Sequence, residues 1–137
     1  MAFIDEHDDR STFIERLVPV LPAEATVHLV HVVNPIVDAA DRFALSNAEA
    51  VQGLAAEWQA RLADLASVLP GATTAVATLE RGEDIGPGLI RVAAEAGADL
   101  IAIGTRRAGT FGGMILGSVA DAVMRAARVP VLVIHVE

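Results

Sequence analysis

The sequence contains no cysteine, which removes disulfides, thiol nucleophiles and thiolate-bound zinc together and fits a reducing compartment. It contains no lysine either, since all 10 basic residues are arginine. A Walker A lysine, a Schiff-base lysine and the lysine of a receiver domain are therefore excluded. Basic charge is scarce as a whole, with 10 Arg against 18 Asp and Glu and a formal net charge of −8. Neutralising a phosphate backbone needs a stripe of Lys or Arg, so neither DNA nor RNA is an expected partner. Long apolar runs are also missing. The longest, at 130–136 and 100–103, are strand-sized, far short of the roughly 20 residues of a membrane-spanning helix. No basic n-region or signal h-region precedes them. Together these absences predict a cytoplasmic protein without a membrane partner.

What is present is enough apolar material for one core. A chain of 137 residues that is 53% hydrophobic suits one domain over 1–137. Ala2 to Asp5 is a short apolar run ending in an acid, and the polar stretch Glu6 to Arg10 leads into Phe13, Ile14, Leu17, Val18 and Leu21 at helical spacing. Thr12 and Glu15 have capping-box spacing, and Pro19 is expected to kink or stop this helix. Thr26 to Val33 is nearly continuous in β-branched and apolar residues, the pattern of a strand covered on both faces. Val51, Leu54, Ala55, Trp58, Leu62 and Leu65 predict a second helix, capped by Ser46 or Asn47, with Trp58 packed on the sheet. A strand at 72–79 follows, then a helix at 84–96 weakened by Gly86 and Pro87 and stopped by Gly97, a strand at 100–103, a helix at 118–127 and a strand at 131–136. Strict alternation predicts an α/β fold: a five-stranded parallel sheet with helices on both faces, Rossmann-like, its ligands at the carboxyl ends of the strands.

The chemistry concentrates in residues 104–118. Glycines at 104, 109, 112, 113 and 117 let backbone amides approach a ligand, and Gly117-Ser118 opens a helix whose free amides and dipole suit an anion. The plainer alternative is that Ser118 only caps its helix and the glycines only permit turns. Arg106 and Arg107 read either as a phosphate clamp or as a solvated pair. The cluster Glu6-His7-Asp8-Asp9 reads as a solvated loop favoured by the following helix dipole, or as a cation site through Asp8 or Asp9. His28 and His31, three apart on a strand, point to opposite faces and read as satisfied interior imidazoles; His135 is a further strand histidine without an evident partner.

Ile103-Gly104-Thr105, Leu116-Gly117-Ser118 and Pro130-Val-Leu-Val133 together resemble the carboxyl-terminal signature of the universal stress protein family, whose ATP-binding members carry G-x2-G-x9-G-[ST]. Gly104, Gly117 and Ser118 match that motif, while Arg107 stands in place of its second glycine. A positive φ at Arg107 would cost about 1–2 kcal/mol, which its guanidinium could offset by gripping a phosphate, and Gly109 is an alternative turn. The resemblance covers the whole chain, with Ala2 to Asp5, His28 to Val33 and Gly97 to Gly104 resembling the first, second and fourth strands. It implies an adenine nucleotide, ATP or AMP, with Asp5 and Val33 at the adenine and Ile103 at the ribose. Gly104, Arg107, Gly109, Gly117, Ser118 and Val119 complete the implied site, with Mg or Mn as the accompanying ion. It also implies a homodimer through the edge strand Val131–Val136, a bare apolar edge that in any case needs covering.

The function implied is that of a small stress-response regulatory protein with at most very slow ATP hydrolysis. No SGG-type phosphate loop follows the first strand, and no nucleophile, base and orienter triad is visible. A dimeric interaction module of the same fold that has lost its nucleotide remains the alternative, motivated by Arg107 and the acidic loop.

Overall fold

The strands find one another in parallel. The structure, a computed structural model, describes residues 1–4, 10–35, 47–105 and 117–136. In chain order they form β1 (Ala2–Phe3), α1 (Arg10–Leu17), a 3₁₀ turn (Val18–Val20), β2 (His28–Val33), α2 (Asn47–Ala66), β3 (Thr73–Thr78), α3 (Ile85–Glu95), β4 (Ile101–Thr105), α4 (Ser118–Ala126) and β5 (Val131–His135). The five strands lie in the order β3-β2-β1-β4-β5, and every pairing is parallel. The chain therefore winds outward from β1 through β2 to β3, then returns to lay β4 on the other side of β1. No described helix is long and apolar enough to cross a membrane.

Both faces of the sheet are covered, which is why β2 reads as a continuous apolar run. Ile4, Leu29, Val33, Ala102 and Ile134 pack beneath Phe13, Ile14 and Leu17 of α1 and Trp58 and Leu62 of α2. Phe3, Val30, Val32, Ile101 and Ile103 pack on the other side beneath Leu89, Val92 and Ala93 of α3 and Ala120 and Val123 of α4. The edge strand β3 shows the contrast: its burial alternates in part, and its three threonines fall at half-buried or exposed positions.

Several element ends follow from local chemistry. Helix α3 closes as a Schellman motif, with Ala98 N–H reaching Ala93 C=O at 2.9 Å and Gly97 N–H reaching Ala94 C=O at 3.1 Å, and Gly97 takes the left-handed φ of +63° that this motif requires. Pro19 sits in the 3₁₀ turn that ends the first helical segment. Two expectations need correction. Helix α1 begins at Arg10, so Thr12 and Glu15 lie within it and do not form its cap. Strand β4 runs on through Gly104 and Thr105, because those residues pair with Ile134 and His135 of β5. Pro87 falls in the first turn of α3, where its missing amide has no helical acceptor to lose.

A four-way polar contact ties the end of β3 to α3. Arg91 donates to both carboxylate oxygens of Glu83, at 3.0 and 2.8 Å, and to the carbonyl of Thr78 at 3.2 Å, while Glu83 also accepts the amide of Glu80 at 2.9 Å. The Arg91 hydrogen bond, followed by the Glu80 amide, lowers the Glu83 carboxyl to about 2 from an ordinary 4.5. A depressed carboxylate contributes stability above its unfolded pKa and loses that contribution as pH falls towards its folded one. The urea midpoint of the wild type is thus expected to exceed that of Glu83→Gln at neutral pH, with the gap closing between about pH 4.5 and 2. A gap independent of pH would remove the ion pair from the account of stability.

Candidate functional site

In a sheet of this winding, β1 and β4 are neighbours whose following connections leave in opposite directions, so a crevice opens beyond their carboxyl ends. Helix α4 follows β4 and leads back to β5, which places its amino terminus at that same edge. Its first helical hydrogen bond runs from Asp121 N–H to Gly117 C=O at 3.0 Å, leaving the preceding amides of the first turn without a partner inside the helix. Gly117 is the cap residue and Ser118 the first helical residue; both are exposed. Ser118 is therefore not the cap, and its hydroxyl stands at the mouth of the helix beside amides suited to an anion. Asp121 would oppose an anion there, but its carboxylate is paired with Arg125 at 2.8 Å, which also lowers its pKa.

The other residues named from the sequence divide by position. Gly104 lies near the end of β4 on the β1 side: its neighbours Ala102 and Ile101 point their amides to β1 and β5 respectively, and alternation gives Gly104 the direction of Ala102. Ile103 and Val33 are 1% exposed, so their side chains belong to the core. The Val33 carbonyl accepts Leu79 N–H at 3.0 Å, which commits its backbone to β3. Val32 carries the alternate direction, towards β1, as the parity of the strand requires. Val119 is half-buried in the first turn of α4. Asp5, Asp8, Asp9, Arg106, Arg107 and Gly109 lie outside the described residues. Among the described residues no group of three metal-ligating side chains occurs.

The histidines separate as strand geometry requires. His28 Nδ1 meets the Thr73 hydroxyl on the neighbouring strand. His31 is 5% exposed, and its Nδ1 lies 2.7 Å from the carbonyl of Ile4. Its ring stacks on Trp58 with centroids 3.4 Å apart and an angle of 11°, and the guanidinium of Arg61 lies 5.0 Å from the Trp58 ring. His135 of β5 has a buried Nδ1 without a partner among the described residues, while its carbonyl accepts the Arg16 guanidinium.

A cavity of about 620 Å³ lies at the opposite, amino edge of the sheet, bounded by the starts of β1, β2 and β4 and by Leu17 and Leu21. Its acidic side chains are Glu24 and Asp99. The carboxyl edge is the stronger candidate for an anionic ligand, because helix amino termini and the positive ends of their dipoles lie there and not at the amino edge.

The fold defines a doubly wound α/β protein with a candidate binding crevice at the switch point between β1 and β4. The sequence model of the universal stress protein family matches residues 2–135, and the chain belongs to that family. A universal stress protein family member from Burkholderia pseudomallei is similar at 26% identity, with 97% of this chain and 93% of that one aligned and a TM-score of 0.65. The hypothetical protein MJ0577 aligns over 99% and 95% of the two chains at 18% identity and a TM-score of 0.70. The universal stress protein of Archaeoglobus fulgidus, solved in complex with dAMP, aligns over 97% and 94% at 19% identity and a TM-score of 0.53. Among curated protein sequences none matches significantly.

Proposed function

We propose that this protein is a cytoplasmic stress-response regulator, working as one domain, that binds ATP or AMP in the crevice between the ends of β1 and β4. The observation that carries the reading is the exposed Gly117-Ser118 start of α4 at the switch point, whose first-turn amides have no partner inside the helix. The dAMP complex of the Archaeoglobus fulgidus family member supports an adenine nucleotide as the ligand class. In this reading Gly104, Gly117, Ser118 and Val119 line the phosphates, Arg107 and Gly109 complete the loop around them, and Asp5, the Ile103 backbone and the chain near Val33 border the nucleoside. Mg or Mn accompanies the phosphates. The protein holds its nucleotide and hydrolyses it at most very slowly.

We further propose a homodimer through the strand at 131–136. Just past β5 the amide of Val136 bonds to Thr105 C=O of β4, so by alternation the backbone groups of Val131 and Val133 face the open edge. Such an edge invites a second strand.

Calorimetry with ATP and AMP, each with and without Mg²⁺ or Mn²⁺, tests the function. Micromolar binding is expected; affinity no tighter than millimolar under every condition would replace this reading with that of a dimeric interaction module.

A further inference from the structure

The central strand β1 is short, and its end is held from an unusual direction. The amide of Ile4 bonds to Val30 C=O at 2.8 Å, continuing the ladder to β2. The carbonyl of the same residue receives a side chain, His31 Nδ1, at 2.7 Å. A carbonyl only accepts, so Nδ1 carries the proton, and this partner defines the tautomer. The imidazole is fixed in turn by its stack on Trp58, itself 4% exposed, in the core between the sheet and α2. A buried donor, locked by packing, thus grips the carbonyl of Ile4, the residue that follows β1.

We propose that His31 is a positioning residue: through Ile4 it fixes the carboxyl end of β1, beside which the crevice opens, and so the geometry of the site in which the nucleotide lies. The consequence for nucleotide affinity rests on the function proposed above, whereas the hold on β1 does not.

Two substitutions in the full chain separate donor from ring. His31→Phe keeps an aromatic ring on Trp58 and removes the donor; His31→Asn places an amide nitrogen near the position of Nδ1 and removes the ring. Long-range ¹H–¹⁵N correlation in the wild type should show a protonated Nδ1, and a neutral Nε2–H tautomer would overturn the proposal even if neither variant folded. Hydrogen exchange of the Ile4 amide should quicken about tenfold in His31→Phe and recover in His31→Asn, the size expected for one buried hydrogen bond. By calorimetry His31→Phe should bind ATP about tenfold more weakly, with His31→Asn close to wild type. If both variants lose affinity in step with stability, or if Ile4 exchanges alike in all three proteins, His31 is a packing residue only. If the wild type itself binds no nucleotide, the proposed function falls, while the tautomer and the exchange rates still decide the role of His31.

Discussion

Gly117→Val is expected to weaken ATP binding at least tenfold while the protein stays folded. Nothing in the described structure requires glycine at this position. Its φ of −57° and ψ of 153° are open to any residue, and an added Cβ meets no described atom within 4 Å. The conformational cost is that of a poorer helix cap, about 1 kcal/mol. What a branched side chain obstructs is the space in front of the first-turn amides of α4, the place proposed for a phosphate. The urea midpoint should therefore move little and the calorimetric affinity much. Ser118→Ala, which removes one donor from the same mouth, should cost a few-fold in affinity. Unchanged affinity in Gly117→Val would show that the nucleotide does not use this helix start.

Gly86→Val should have the opposite signature, a large loss of stability. A Cβ on Gly86 would stand 2.6 Å from the Cβ of Ala122, a rigid short side chain on α4. Neither group can rotate away, so α3 and α4 must separate, and overpacking of this kind costs about 1–3 kcal/mol. Denaturant titration measures the loss, and Ala122→Gly in the same chain should recover part of it. Gly88 makes a useful contrast: its added Cβ would strike Leu79 Cδ2 at 2.3 Å, the far end of a side chain that can change rotamer, so Gly88→Ala should be milder. A Gly86→Val protein as stable as the wild type would mean that the two helices do not meet at this glycine. In the proposed function the first-turn amides of α4 face the nucleotide, and on that proposal separation of the helices should also weaken ATP binding.

These two glycines show where sequence reasoning stops. Gly86 reads as a weakness in a helix, since glycine lowers helix propensity; the fold uses it as a contact surface, and its partner Ala122 lies in the next helix. His31 reads as a satisfied interior imidazole, and so it is, but the group that satisfies it, Ile4, is 27 positions away. The anion-binding reading of the last helix start came from Gly117-Ser118 directly. That Gly117 rather than Ser118 is the cap depended on backbone angles. The family resemblance implies Val33 at the adenine, whereas its carbonyl direction depends on the ladder to β3.

By itself the sequence determined the alternation of strands and helices, the two-sided burial of β2, the stop at Gly97 and the membership of a family whose motif it carries in part. Each of these is written in local periodicity or in short spacing, which report how much of an element is buried and where it must turn. Only the tertiary structure decided the order β3-β2-β1-β4-β5, the meeting of α3 with α4 at Gly86, and the grip of His31 on the end of β1. The reason is physical: apolar burial is non-directional and does not name its partner, so strand order and close contacts emerge only when all the layers are packed at once.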